Sequence, residues 1–124
     1  MLERSTAPKA GENTWLWLLK IISGVLVIVL LFVHLVVNHL VPTEGLLSYE
    51  EVIAYVTTPG IALMEMTFLV VVVSHSLIGL RSIILDLNPS PGVLRVVNWV
   101  LTLIGVAAVV YGIWLMQMLV AQAA

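Results

Sequence analysis

Three histidines, His34, His39 and His75, carry most of the chemistry this sequence can offer. His75 stands in the apolar run VVVVSHSLIGLRSIILD, residues 70–86. Ionisable side chains inside such runs are costly and usually face a bundle interior or a cofactor. At about 1.5 Å per residue, His75 lies roughly 15 Å from Leu85, near mid-bilayer. At about 100° per residue, His75, Gly79, Ser82 and Asp86 share one helix face. A histidine one turn from a glycine suits a flat macrocycle: the imidazole supplies an axial nitrogen and the missing side chain leaves room for the ring. The same histidine also suits a hydrogen bond to a neighbouring helix. Spacing leaves both readings open.

The other polar groups sort by depth and face. His34 lies roughly 10 Å nearer the opposite surface than His75, so the two are poorly placed to clamp one iron. Lys20, Ser23, Gly24, Val27, Leu31, His34 and Asn38 share a face that is expected to be packed. His34 is read chiefly as a packing residue, with a ligand or proton-relay role as the alternative; His39 is read as interfacial. Lys20 is close enough to the first helix start to snorkel to the surface. Arg81 points away from the His75 face, toward a lipid phosphate, a propionate or Asp86. Glu65 receives no role. Met64, Met66, Met116 and Met118 are read as packing residues. Gly105 and Gly112, with Ala107 and Ala108 between them, mark a close-packing surface. Tyr111 and Trp114 are expected as interfacial anchors.

Three apolar stretches must position these groups. The first runs from Trp15 to Leu40, behind a polar tail of residues 1–14. A signal-peptide core has roughly 7–15 apolar residues, and about 20 cross a bilayer, so this stretch reads as a spanning helix. The connection from Val41 to Gly60 holds Ser48 and Glu51 at capping-box spacing, which predicts a short surface helix over Tyr49 to Thr57. The second span is expected over 61–85. The segment DLNPSPG, residues 86–92, is a breaker, and the third span follows over 93–120, with 121–124 as a tail.

Composition agrees with this reading. Of 124 residues, 61% are hydrophobic and 10% charged, whereas a soluble domain carries about 25% charged residues. The net charge is −2 with no basic run, which gives nucleic acid no surface, and the lack of cysteine excludes disulfides and thiolate ligands in this chain. A chain this small has no room for a soluble catalytic domain beside three spans, so any enzymatic role is shared with other subunits. Arg4, Lys9, Lys20, Arg81 and Arg95 flank the N-terminus and the second loop, while the first loop carries Glu44, Glu50 and Glu51. The positive-inside rule then predicts a cytoplasmic N-terminus in a bacterial-type inner membrane.

Together these residues resemble a known family. Three spans with H-x3-G-x6-D closing the second, here His75, Gly79 and Asp86, are similar to the small membrane-anchor subunit of succinate dehydrogenase, respiratory complex II. Leu47-Ser48-Tyr49-Glu50 resembles the L-T/S-Y-E segment of the first loop in such anchors. Residues 20–24, KIISG, resemble the opening of their first helix, and Tyr111-Gly112 a Y-G pair in their last. The likeness spans roughly residues 15–120.

The resemblance implies an all-α membrane protein forming half of a heterodimeric haem-binding bundle. A second membrane-anchor subunit would supply the other half, and the pair would hold the iron–sulfur and flavoprotein subunits on the membrane. One haem b would lie between the anchors, with His75 as this chain's axial ligand and Gly79 and Arg81 as the further cofactor-binding positions carried over. A quinone site near the cytoplasmic surface would have Asp86 at its edge, with Ser82 and Lys20 beside it. Many members follow that aspartate with a tyrosine; Leu87 stands here and cannot donate to a quinone. The alternatives are a fumarate reductase anchor of the same architecture, or a cofactor-free scaffold or transporter component.

Overall fold

A computed structural model describes residues 12–40 and 47–123. The remainder of the N-terminal tail, the loop residues Pro42, Glu44 and Gly45, and the terminal Ala124 lie outside the described residues. Among the described residues four α-helices follow in order: α1 (Thr14–Leu35), α2 (Tyr49–Thr57), α3 (Ile61–Leu85) and α4 (Pro91–Ala121). One π-helical turn, Val36–Leu40, extends α1.

Local sequence explains each boundary. Asn13 caps α1, its Oδ1 accepting from the Leu16 N–H at 2.8 Å. The expected Ser48–Glu51 capping box forms: the Glu51 carboxylate accepts from the Ser48 N–H at 2.7 Å and Ser48 Oγ from the Glu51 N–H at 3.4 Å. Gly60 opens α3 at φ 84°, a backbone angle that a side chain disfavours. Helix α4 starts at Pro91, two residues before the expected Val93. Ser90 caps it and Pro91 takes the first turn, where its missing N–H costs nothing. The proline that ends one element therefore begins the next.

Helix α3 is the centre of the bundle. It packs against α1 and α4, while α1 and α4 make no close backbone approach to each other among the described residues. Small residues allow the α3–α4 contact: a Cβ on Gly105 would stand 2.6 Å from Leu77 Cδ1. Helix α2 lies across the far end against α3 and α4 and buries Val56.

The bundle has almost no core of its own. Val56 is the one buried apolar residue among those described, whereas Trp15, Phe32 and Leu103 are 73%, 68% and 63% exposed. Apolar surface on this scale has no place in water. The segments Thr14–Leu40, Ile61–Leu85 and Pro91–Ala121 are each long and apolar enough to cross a bilayer. Outward-facing hydroxyls are satisfied internally, as lipid requires: Thr67 bonds the Leu63 carbonyl, Ser76 that of Val72 and Thr102 that of Asn98, each at 2.7 Å.

Candidate functional site

His75 points at α1. Its Nδ1 lies 3.0 Å from Ser23 Oγ, and a Cβ on Gly24 would come within 3.1 Å of its Cε1. Helix α1 thus offers the imidazole a hydroxyl partner and a bare backbone to lie against. Ser23 Oγ also sits 3.1 Å from the Lys20 carbonyl, to which it donates. A hydroxyl has one hydrogen. While Ser23 gives it to that carbonyl, its oxygen accepts from His75 Nδ1–H, and Nε2 carries the lone pair. Gly79, the glycine expected beside the ring, faces open space: its Cβ would meet nothing within 4 Å. The glycine that touches His75 is Gly24, one helix away.

Two further expected residues meet toward the same end of the bundle. Lys20 Nζ donates to Ser82 Oγ at 2.9 Å and to the Glu12 carboxylate at 2.7 Å. Ser82 is buried, and only 2% of the Glu12 side chain is exposed. Lys20 therefore turns inward and ties α1 to α3 instead of reaching for the surface. Glu12 and Asn13, which the sequence places in the polar tail, are part of the folded end of α1. Asp86 is exposed one turn beyond Ser82. Arg81 is not in this group. It stands about 120° around α3 from His75, and its Nε donates to Asn98 Oδ1 of α4 at 2.7 Å.

The opposite end holds a second polar cluster. His34 Nδ1 lies 2.9 and 2.8 Å from the two Glu65 carboxylate oxygens. Asn38 Nδ2 contacts Glu65 Oε1 at 3.2 Å and the His34 carbonyl at 2.9 Å. The Tyr55 hydroxyl donates to Glu65 Oε1 and accepts from Asn38. Burial, and then the Glu65 carboxylate beside it, pushes the Tyr55 hydroxyl up to about 12, so it remains a donor throughout the physiological range. The cluster joins α1, its π-helical turn, α2 and α3. His34 and Asn38 sit on the packed face, as expected. Tyr55 and Glu65 carry no sequence signal for this cluster, because only the fold brings a surface helix onto the start of α3.

The fold defines an integral membrane subunit with three spans. The family model of the succinate dehydrogenase/fumarate reductase transmembrane subunit matches residues 2–112. The chain is 34% identical over 116 residues to the succinate dehydrogenase hydrophobic membrane anchor subunit of Archaeoglobus fulgidus, covering 94% of this chain and 97% of that one. It is 32% identical over 97 residues to the succinate dehydrogenase 2 membrane subunit SdhC of Mycobacterium tuberculosis, covering 77% of this chain and 71% of that one. No solved structure matches. The chain belongs to the succinate dehydrogenase/fumarate reductase transmembrane subunit family, and it is a membrane-anchor subunit.

Proposed function

We propose that this chain pairs with a second membrane anchor, carries one axial ligand of a haem b on His75, and helps form the quinone site that receives electrons from succinate. The observation that carries the reading is the His75–Ser23 hydrogen bond. It engages Nδ1 and leaves Nε2 as the ligating nitrogen, the arrangement that orients a metal-bound histidine. Gly24 keeps the α1 side clear for the imidazole, and the space beside Gly79 gives a planar cofactor room without displacing a side chain. When bound, the haem would supply one-electron redox chemistry and a coordinate link to the partner anchor.

The quinone site is proposed at the end where Lys20 and Ser82 meet, with Asp86 at its rim. Lys20 supplies a half-buried ammonium, Ser82 a buried hydroxyl, and Asp86 a carboxylate within reach of water. Leu87 offers no hydroxyl, so a quinone-bonding tyrosine would come from another subunit. The iron–sulfur and flavoprotein subunits would dock on this end, which the distribution of basic residues assigns to the cytoplasm. Family membership is compatible with either direction, succinate oxidation or fumarate reduction.

The test is the purified complex. His75→Leu replaces the ligand with a side chain that lipid accepts. The chain should stay in the membrane while the reduced-minus-oxidised low-spin haem band is lost; an unchanged band overturns the ligand assignment. Asp86→Ala should lower quinone reduction while succinate oxidation by an artificial acceptor continues. Equal rates on both acceptors would make Asp86 only a helix-end residue. A reporter fused after Ala124 should read as external; a cytoplasmic reading would move the quinone site to the wrong surface.

A further inference from the structure

Helices α3 and α4 and the start of α1 enclose a groove of about 700 Å³. Its walls are apolar, with Leu77 and Ile78 on one side and Leu101, Val106 and Val110 on the other. Its charged and amide side chains, Arg81, Asn98 and Asn13, gather at one end, and the hydroxyl residues Ser74 and Thr102 line it deeper. The Arg81 guanidinium is held there by its 2.7 Å bond to Asn98. Arg95 lies one turn before Asn98 on the same stripe of α4 and is exposed.

The groove has the length of one leaflet. From Asn98 to Val110 is twelve residues, about 18 Å along α4 at 1.5 Å each. Half of a hydrocarbon core about 30 Å thick is about 15 Å. Its axis on α3, along Ser74, Leu77, Ile78 and Arg81, lies about 120° around the helix from the stripe of His75, Gly79 and Ser82. A cofactor or partner on the His75 face therefore leaves this groove to the surrounding bilayer.

We propose that the groove binds one acidic phospholipid, its phosphate on Arg81 and an acyl chain lying between Leu77 and Val106. A guanidinium has five N–H groups in a planar fork, so it can hold Asn98 and a phosphate oxygen together. Apolar walls of leaflet length take the chain, and Arg95 adds positive charge at the mouth. A zwitterionic lipid would gain the same walls but less from the two arginines. The inference does not rest on the haem assignment, because the two sites occupy different faces of α3.

The test uses the intact complex, extracted and reconstituted in mixed phosphatidylglycerol/phosphatidylcholine vesicles, with retained lipid identified by native mass spectrometry. One phosphatidylglycerol should remain per copy of this chain, preferred by about fivefold, the factor that one interfacial arginine supplies. Arg81→Gln should cut the preference severalfold and Arg81→Lys restore part of it. Val106→Trp fills the groove from an exposed position and should expel lipid of either kind. Equal retention of the two lipids by the unaltered complex would overturn the proposal. So would unchanged retention in Val106→Trp, or a photo-crosslinker at position 106 that captures another subunit instead of lipid. None of these readouts depends on haem content.

Discussion

His34 and His75 are both half-buried histidines in membrane helices, yet their surroundings differ. His34 Nδ1 is gripped by both oxygens of Glu65, with Asn38 and Tyr55 completing the network and the Phe68 ring 5.2 Å away. Every residue of that network belongs to this chain. His75 has one hydroxyl partner, a bare glycine backbone against its ring, and open space beside the glycine one turn on. One histidine is finished by its own fold; the other is oriented by its fold and, on the reading proposed above, completed from outside. In a subunit whose work is assembly, the less satisfied residue is the one to read as functional.

The sharpest way to break this comparison is to alter the glycines around His75. Gly24→Leu drives side-chain carbon into the ring volume, since even a Cβ stands 3.1 Å from Cε1. If His75 is a ligand, haem retention should fall about 10–100-fold, the usual loss when the support of a metal ligand is disturbed. Gly79→Leu is the cleaner partner experiment. It meets nothing within this chain, so the chain should accumulate normally, yet it fills the space assigned to the cofactor. Haem absorbance per mole of chain should drop in both variants. Full absorbance in Gly79→Leu would mean that the cofactor lies elsewhere.

The same glycines show what sequence can and cannot convey. Hydrophobic runs, Pro91, Gly60 and the Ser48–Glu51 pair lay out spans and boundaries, because lipid and capping act through near neighbours in the chain. The π-helical turn at Val36–Leu40 has no such signature. The helical wheel puts His75 and Gly79 on one face, which is local geometry. It cannot show that Gly24 and Ser23 are what the imidazole meets, because that depends on the relative height and rotation of α1 and α3. Lys20 misleads for a similar reason: a lysine near a helix end ordinarily snorkels, but buried Ser82 and Glu12 draw it inward. Arg81 falls on the far side of α3 as the wheel indicates, and Asn98 gives it a partner that no spacing rule suggests.

A smaller effect is expected at the finished histidine. Glu65→Ala removes the acceptor shared by His34, Asn38 and Tyr55. Leaving a buried donor unpaired costs about 1–3 kcal/mol, and the lower part of that range applies here because water reaches this end. The complex should show a reduced thermal midpoint, read from loss of this chain from the soluble detergent fraction on heating. Haem absorbance before heating should match the unaltered complex. A haem loss as deep as in His75→Leu would erase the distinction between the two histidines and make His34 a cofactor residue as well.

The smallest effect lies outside the membrane, where Glu51 caps α2. Hydrogen bonding from the Ser48 backbone N–H, then from its side chain, holds the Glu51 carboxyl below its ordinary range. A carboxylate with a depressed folded-state pKa stabilises fully above its unfolded value. That contribution fades as pH falls through the lower folded value. Protonation also removes a negative charge from the first turn of α2, where the helix dipole favours it. The cap itself is tested by changing Glu51 alone. Glu51→Gln keeps an oxygen for the Ser48 N–H and removes the titration. At neutral pH the variant should protect the α2 amides from hydrogen exchange slightly less than the native chain. The difference in protection factor should vanish in acid, where native Glu51 is protonated too. A gap between the two that is constant from neutral pH into acid would show that the charge on Glu51 contributes nothing to holding α2 in place.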